Sequence, residues 1–198
     1  MSDAYTVYWP QDRWRNALGV HGPLEVMFGG PHLSEPSFRR AKVTVGDLLY
    51  PIGVNQQVLY VFGRMRVREI VEVDGASLQE HYARFRPWRF LAPTCTDEVV
   101  LGEEGTPVHG NHAVPSEALK TLTYLPRRRG PRPIKHVSEA GLLTKAISIQ
   151  GIYRLAPASV VELDAVLDSG PTFPSAVPPR PASRPHVNPA SLGMEPLF

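Results

Sequence analysis

Lys42-Val43-Thr44-Val45-Gly46-Asp47-Leu48-Leu49-Tyr50-Pro51-Ile52, then a turn over Gly53 to Gln57, then Val58-Leu59-Tyr60-Val61-Phe62-Gly63, is the stretch that decides the fold. The first apolar run leaves the turn Gly46-Asp47 as a buried strand. The second returns beside it and continues as Arg64-Met65-Arg66-Val67-Arg68-Glu69-Ile70-Val71-Glu72-Val73. Met65, Val67, Glu69 and Val71 fall on one face of that continuation, and Arg64, Arg66, Arg68, Ile70 and Glu72 on the other. A period of two is the signature of a half-buried strand. The run is too long for one flat strand, so Gly63 is expected at a bulge or a sharp bend.

Outward from this hairpin the elements are short. Tyr5 to Trp9 reads as a strand that ends at Pro10, and Gln11 to Leu18 as a helix stopped by Gly19 and Gly22. Leu24 to Phe28 reads as a strand closed by Gly29-Gly30-Pro31. Ser77 is a candidate cap for a helix from Leu78 to Phe85, with Glu80 at the capping-box position. Val99 to Gly102 reads as a strand, and Pro115 to Leu122 as a helix with Ser116 as its cap. Leu142 to Gly151 reads as a strand with Ile147 and Ile149 inward, and Pro157 opens a last helix from Ala158 to Leu167. Short strands around a long hairpin, with few helices, predict an α+β domain. The expected form is a small, highly curved β-barrel with short helices at its ends.

Composition sets the limits of that domain. Of 198 residues, 42% are apolar and 20% charged, enough for a packed core. The 21 prolines and 16 glycines exclude a helical bundle. Eight of those prolines fall in residues 169–198, which carry only three charges. That composition predicts a disordered, extended proline-rich tail at 169–198 behind a folded domain at 1–168. Pro178-Pro179-Arg180-Pro181 resembles a ligand for a proline-binding groove, so the tail is a candidate contact for a protein partner. No apolar run approaches a membrane span and no signal peptide is visible, so a cytoplasmic protein with no membrane partner is expected. Cys95 is the lone cysteine, which excludes an internal disulfide.

The segment from Phe38 to Ile70 resembles the PUA-like superfamily, which includes PUA, ASCH, EVE and YTH domains. The resemblance lies in basic residues followed by Lys42 to Tyr50, a turn, and Val58 to Gly63. Leu155-Ala156-Pro157-Ala158-Ser159 and the helix behind it resemble the closing element of an EVE-type domain. Trp9-Pro10 before a short helix suits that family's start. The resemblance implies nucleic-acid binding, often of a modified or flipped base held in an aromatic-lined cleft. ASCH members that are ribonucleases or amidohydrolases carry a G-x-K-x-x-E-x-R signature. Ser37-Phe38-Arg39-Arg40 stands near its place without the Lys or the Glu, so no catalytic residue carries over.

The charged residues suit that reading in their distribution rather than their sum. Net charge is only +2, yet 17 of the 21 basic residues are Arg, the better phosphate fork. Lys120 to Lys135 holds six positive charges and no acid: Lys120, Arg127, Arg128, Arg129, Arg132 and Lys135. Gly130, Pro131 and Pro133 make it a loop. Arg39, Arg40 and Lys42 form a second group, and Arg84, Arg86 and Arg89 a third, interleaved with Phe85, Trp88 and Phe90. Cations of this kind bind phosphate by releasing counterions. Trp9 and Trp88 are the candidate platforms for a stacked base, and Trp9 is the stronger for ending a strand at a barrel rim. The candidate nucleic-acid-binding set is therefore Trp9, Arg39, Arg40, Lys42, Trp88, Arg127, Arg128 and Arg129.

His109 and His112 stand three apart in a glycine-containing loop, but no third ligand can be assigned, so no metal and no cofactor is expected. Cys95 lacks the surroundings of a nucleophile. The leading expectation is a DNA- or RNA-binding module that reads a modified or flipped base. Its rivals are an ASCH-like hydrolase acting on RNA or a modified nucleoside, and a protein-interaction module.

Overall fold

The computed structural model describes residues 2–31 and 36–170. The expected tail lies outside them but for Ser169 and Gly170. The strands are β1 (Ala4–Tyr8), β2 (Val26–Gly29), β3 (Leu48–Asn55), β4 (Val58–Val61), β5 (Met65–Glu72), β6 (Glu98–Glu103), β7 (Thr123–Tyr124), β8 (Arg132–Pro133) and β9 (Ile152–Arg154). The helices are α1 (Gln11–Ala17), α2 (Phe38–Ala41), α3 (Gly75–Arg84), α4 (Ser116–Thr121) and α5 (Pro157–Asp168). Seven strands form one sheet in the order β2-β6-β5-β3-β1-β9, with β4 also beside β3. The domain is mixed α+β, a large sheet with short helices.

The decisive hairpin forms as its sequence predicts. Ile52 faces Val61 across β3 and β4, and Leu49 faces Met65 across β3 and β5. Residues 62–64 thus stand opposite only Tyr50 and Pro51, which is a bulge. Pro51 has no N–H to offer there, and a proline inside a central strand is tolerated where the ladder is already interrupted. Gly63 fits for a second reason: a Cβ on it would come within 2.8 Å of Thr106 Oγ1. That hydroxyl accepts the Arg64 N–H at 2.9 Å. A second bulge between Val67 and Glu69 breaks the expected alternation of β5 at Arg68.

The turn into β3 is held by a buried acid. Asp47 is 3% exposed, and its carboxylate accepts the N–H of Asp3 and of Thr44, each at 2.8 Å. Gly46 has φ +90°, a region that L side chains rarely enter, although its surroundings are open. Gly46→Val is therefore expected to destabilise the domain by about 1–3 kcal/mol through backbone strain alone. A thermal melt matching wild type would overturn that account.

Strand alternation sends side chains to two apolar clusters on opposite faces of the sheet. Tyr5 and Val7 of β1 join Leu49, Phe62, Trp9, Trp14 and Trp88. Ala4, Tyr50, Ile52 and Leu59 join Leu119 of α4 and Leu163 of α5. A polar tie fastens α5 to the sheet: Asp164 Oδ1 accepts the Tyr50 hydroxyl at 2.8 Å and Arg64 Nη1 at 2.5 Å. Burial first, and then the neighbouring Asp164 carboxylate, push the Tyr50 phenol well above its ordinary range.

Three local expectations are corrected. The cap of α3 is Asp74, not Ser77. The Asp74 side chain accepts the Ser77 N–H at 3.2 Å, and Ser77 Oγ accepts the Asp74 N–H at 2.9 Å, a reciprocal box three residues earlier than expected. α4 starts after Pro115, with no side-chain cap from Ser116. Residues 142–151 form no strand: Ala146–Ser148 is a 3-10 turn, and Ile147 is 66% exposed. The edge of β1 is taken by β9 instead, with Thr6 opposite Tyr153.

The loop after β6 carries a pH-sensitive element. His112 is buried, its Nδ1 has no partner, and its ring meets His109 edge-on at 5.6 Å. Burial first, and then charge on His109, hold the His112 pKa below the ordinary histidine value. An unfolded histidine takes up its proton near pH ~6.5, so below that the unfolded chain binds more protons than the folded one. Stability is full above pH ~6.5 and declines as the pH falls through the folded value. The melting temperature is expected to drop on acidification, and less steeply in His112→Gln; an equal slope in that variant would clear His112.

Candidate nucleic-acid interface

The arginine loop is closed at its root by a small hairpin. Thr123 and Tyr124 of β7 face Pro133 and Arg132 of β8. The hairpin is joined to β9 by Leu125 N–H, which donates to Arg154 O at 2.8 Å, and by Arg154 Nε, which donates to Leu125 O at 3.1 Å. Arg154 Nη1 also pairs with Asp3 at 3.0 Å, so this guanidinium clamps the loop to the start of β1. The arginines between are thereby held against the sheet at one end.

A cleft of about 170 Å³ opens beside that root. Its cations are Arg40 from α2, Arg127 from the loop, Arg132 from β8 and Arg154 from β9. Tyr5, Tyr124 and Tyr153 form its aromatic wall. A second recess of about 280 Å³ shares Tyr124, Arg132 and Tyr153 and adds Lys135, His136 and Ser148. No carboxylate lines either one. Five permanent cations thus face two adjoining hollows, and the one of them with an ion-pair partner among the described residues is Arg154.

The tyrosines are fixed in place. Tyr124 and Tyr153 stack with centroids 4.8 Å apart and planes 27° off parallel, and the Arg132 guanidinium lies over the Tyr153 ring at 5.9 Å. Thr6 Oγ1 donates to the Tyr124 hydroxyl at 3.5 Å, and the Tyr153 hydroxyl donates to Gln150 O at 3.1 Å. Burial pushes the Tyr124 phenol far above its ordinary range. Burial, then Asp47 and Asp3, raise that of Tyr5, against a smaller opposing pull from Arg127. Both are neutral hydroxyls at physiological pH.

The expected site residues divide between this cleft and other places. Arg40 and Arg127 meet in it. Arg128 and Arg129 are exposed on the same loop. Lys42 is exposed next to the cleft, in a left-handed conformation with φ 64°, and its carbonyl accepts the Tyr5 hydroxyl at 3.3 Å. Arg39 is engaged elsewhere: its guanidinium holds Glu72 at 2.6 Å and Asp97 at 2.9 Å, with Glu98 at 3.6 Å.

The two tryptophans are core residues. Trp9 is 3% exposed and stacks on Phe62 at 6.0 Å, and Trp88 is 2% exposed in the same cluster. Neither presents a free ring face, because the apolar contacts that bury them also cover them. The aromatic residues that line the cleft are Tyr5, Tyr124 and Tyr153; Tyr5 and Tyr124 are as buried as the tryptophans, and Tyr153 is half-buried. Their sequence signal was faint: Tyr124 stands three residues before the arginine run, and Tyr153 directly precedes Arg154. Among the described residues no group of three His, Cys, Asp or Glu side chains is placed to hold a metal ion, and no helix is long and apolar enough to cross a membrane.

No family model matches the chain, and no curated protein matches it. Solved structures similar to it include ASCH from Zymomonas mobilis, at 11% identity and a TM-score of 0.41, covering 82% of this chain and 94% of that one. Two mutants of that protein match at 13% and 12% identity, with TM-scores of 0.43 and 0.40, again over 82% of this chain and over 95% and 96% of theirs.

Proposed function

We propose that this chain is a nucleic-acid-binding domain of the PUA-like kind, its bent sheet serving as the barrel wall, and that the tyrosine-walled cleft is its binding site. The observation that carries the reading is convergence. Arginines from three separate parts of the chain, Arg40, the hairpin residues Arg127 and Arg132, and Arg154, line one hollow with three tyrosines and no carboxylate. A hydrophobic ligand would not call for four guanidinium groups, and an isolated anion would not call for an aromatic wall. A polymer of phosphates and flat bases uses both. Any selectivity for a modified base would reside at Tyr153, the half-buried aromatic residue of the cleft, since Tyr5, Tyr124, Trp9 and Trp88 are all buried.

Fluorescence anisotropy over a series of salt concentrations tests this. Wild type is expected to bind with an affinity that falls linearly in log–log form, by about 0.7–0.9 per phosphate contacted. The double variant Arg40→Ala/Arg127→Ala is expected to flatten the slope by about two phosphates. Wild type that shows no salt-sensitive binding to DNA or RNA, single- or double-stranded, would end the reading.

A further inference from the structure

The cleft and the second recess meet at a ridge, and the ridge is a stack. Tyr124 lies beneath Tyr153 at 4.8 Å, and Arg132 lies over Tyr153 at 5.9 Å. All three residues line both hollows. On one side of the ridge stand Arg40 and Arg127; on the other, Lys135 and His136. Arg132 is exposed and has no ion-pair partner among the described residues, whereas Tyr124 is buried. The most exposed member of the group is therefore the Arg132 guanidinium, with the half-buried Tyr153 ring next to it. A guanidinium plane takes a flat base on its face as an aromatic ring does.

We infer that the site takes a single strand rather than a duplex, with one base stacked on the Arg132 guanidinium and the flanking phosphates in the hollows on either side. The inference rests on the nucleic-acid reading above and specifies its ligand. In a duplex the bases are stacked inward and only backbone reaches a concave surface. A base must be splayed out to lie on the ridge, and single strands supply such bases. The Tyr153 ring, itself stacked on Tyr124, lies next to the Arg132 guanidinium. The cations on both sides then neutralise backbone that runs on past the base in each direction.

Arg132→Lys separates this arrangement from a simple phosphate contact, because it keeps the charge and removes the plane. The side chain is exposed, so the fold is not at stake. The probes are labelled oligo-dT, oligo-rU and a mixed-sequence duplex of the same length. Wild type is expected to prefer a single strand over the duplex by about tenfold or more at equal salt. Arg132→Lys is expected to keep the single-strand salt slope while losing about fivefold or more in affinity, the low end for removal of a base-stacking partner. Arg127→Ala is expected to lower the slope by about 0.7, one single-strand phosphate, and keep the preference. The dT and rU arms report whether deoxyribose or ribose is favoured. Equal binding of strand and duplex, or an Arg132→Lys variant equal to wild type on both single strands, would overturn the inference while leaving nucleic-acid binding in place. Absence of salt-sensitive binding to every probe would remove both.

Discussion

Trp9→Ala is expected to cost about 3–5 kcal/mol of folding stability, the range for truncating a buried large aromatic side chain. Trp9 is 3% exposed, and its ring lies nearly parallel to that of Phe62, 11° apart. Phe62 in turn stacks on Trp14 at 5.4 Å, so one truncation opens a void beside the two remaining packed rings. The Trp9 N–H also donates to Ile52 O at 2.8 Å, which holds this segment to β3. Trp9→Phe keeps a ring in that place and should cost less. It should leave the affinity for single strands and the salt slope at wild-type values. Urea unfolding with anisotropy on the same samples decides the matter. A Trp9→Ala protein as stable as wild type but unable to bind would make Trp9 a base platform after all.

Glu98→Ala is expected to cost about 2–4 kcal/mol and to weaken binding as well. The Glu98 side chain is fully buried in β6, at 0% exposure. Oε1 accepts the Phe38 N–H at 2.9 Å and Oε2 the Arg39 N–H at 3.1 Å, so one carboxylate satisfies both backbone donors that open α2. Truncation strands those donors, at about 1–3 kcal/mol for each one left buried. α2 is only four residues long, too short to hold its shape unaided, and it carries Arg40 to the cleft. The salt slope should therefore fall by up to about one phosphate although no cleft residue has changed. Glu98→Gln keeps one acceptor oxygen and should fall between the two. An Ala variant with wild-type unfolding in urea would show that α2 stands without this support.

What was legible in the sequence was whatever a short window contains. The β3–β4 hairpin, the bend at Gly63 and α5 behind Pro157 each depend on residues within about ten positions, and each formed. The cap of α3 was misplaced because Asp74 and Ser77 both suit an N-cap; they bond to each other, and only the start of the helix tells which one leads. Residues 142–151 misled through Ile147 and Ile149, which alternate as in a strand although the first is exposed and only the second buried. The cleft was half legible. Its arginine loop is a local run, but Tyr5, Arg40 and Arg154 enter it only because β1, α2 and β9 are neighbours in space. The burial of Trp9 was not legible for a related reason. A tryptophan before a proline at a strand end suits a rim, and what buries it is Phe62, more than fifty residues on.

The pairing of β1 with β9 sets the order in which this molecule becomes competent. Ala4–Tyr8 leaves the ribosome well before Ile152–Arg154, yet one of its edges waits for that strand. At synthesis rates of about 5–20 residues per second, that wait is on the order of 10 s. Until then the arginines of the 125–131 loop lack the clamp at Arg154, and the stack lacks Tyr153. A nascent chain therefore carries nearly all of its positive charge before it owns a groove in which to use it. On the proposed reading, discrimination among polyanions arrives with β9, and a product of translation halted before residue 152 is expected to bind them without it.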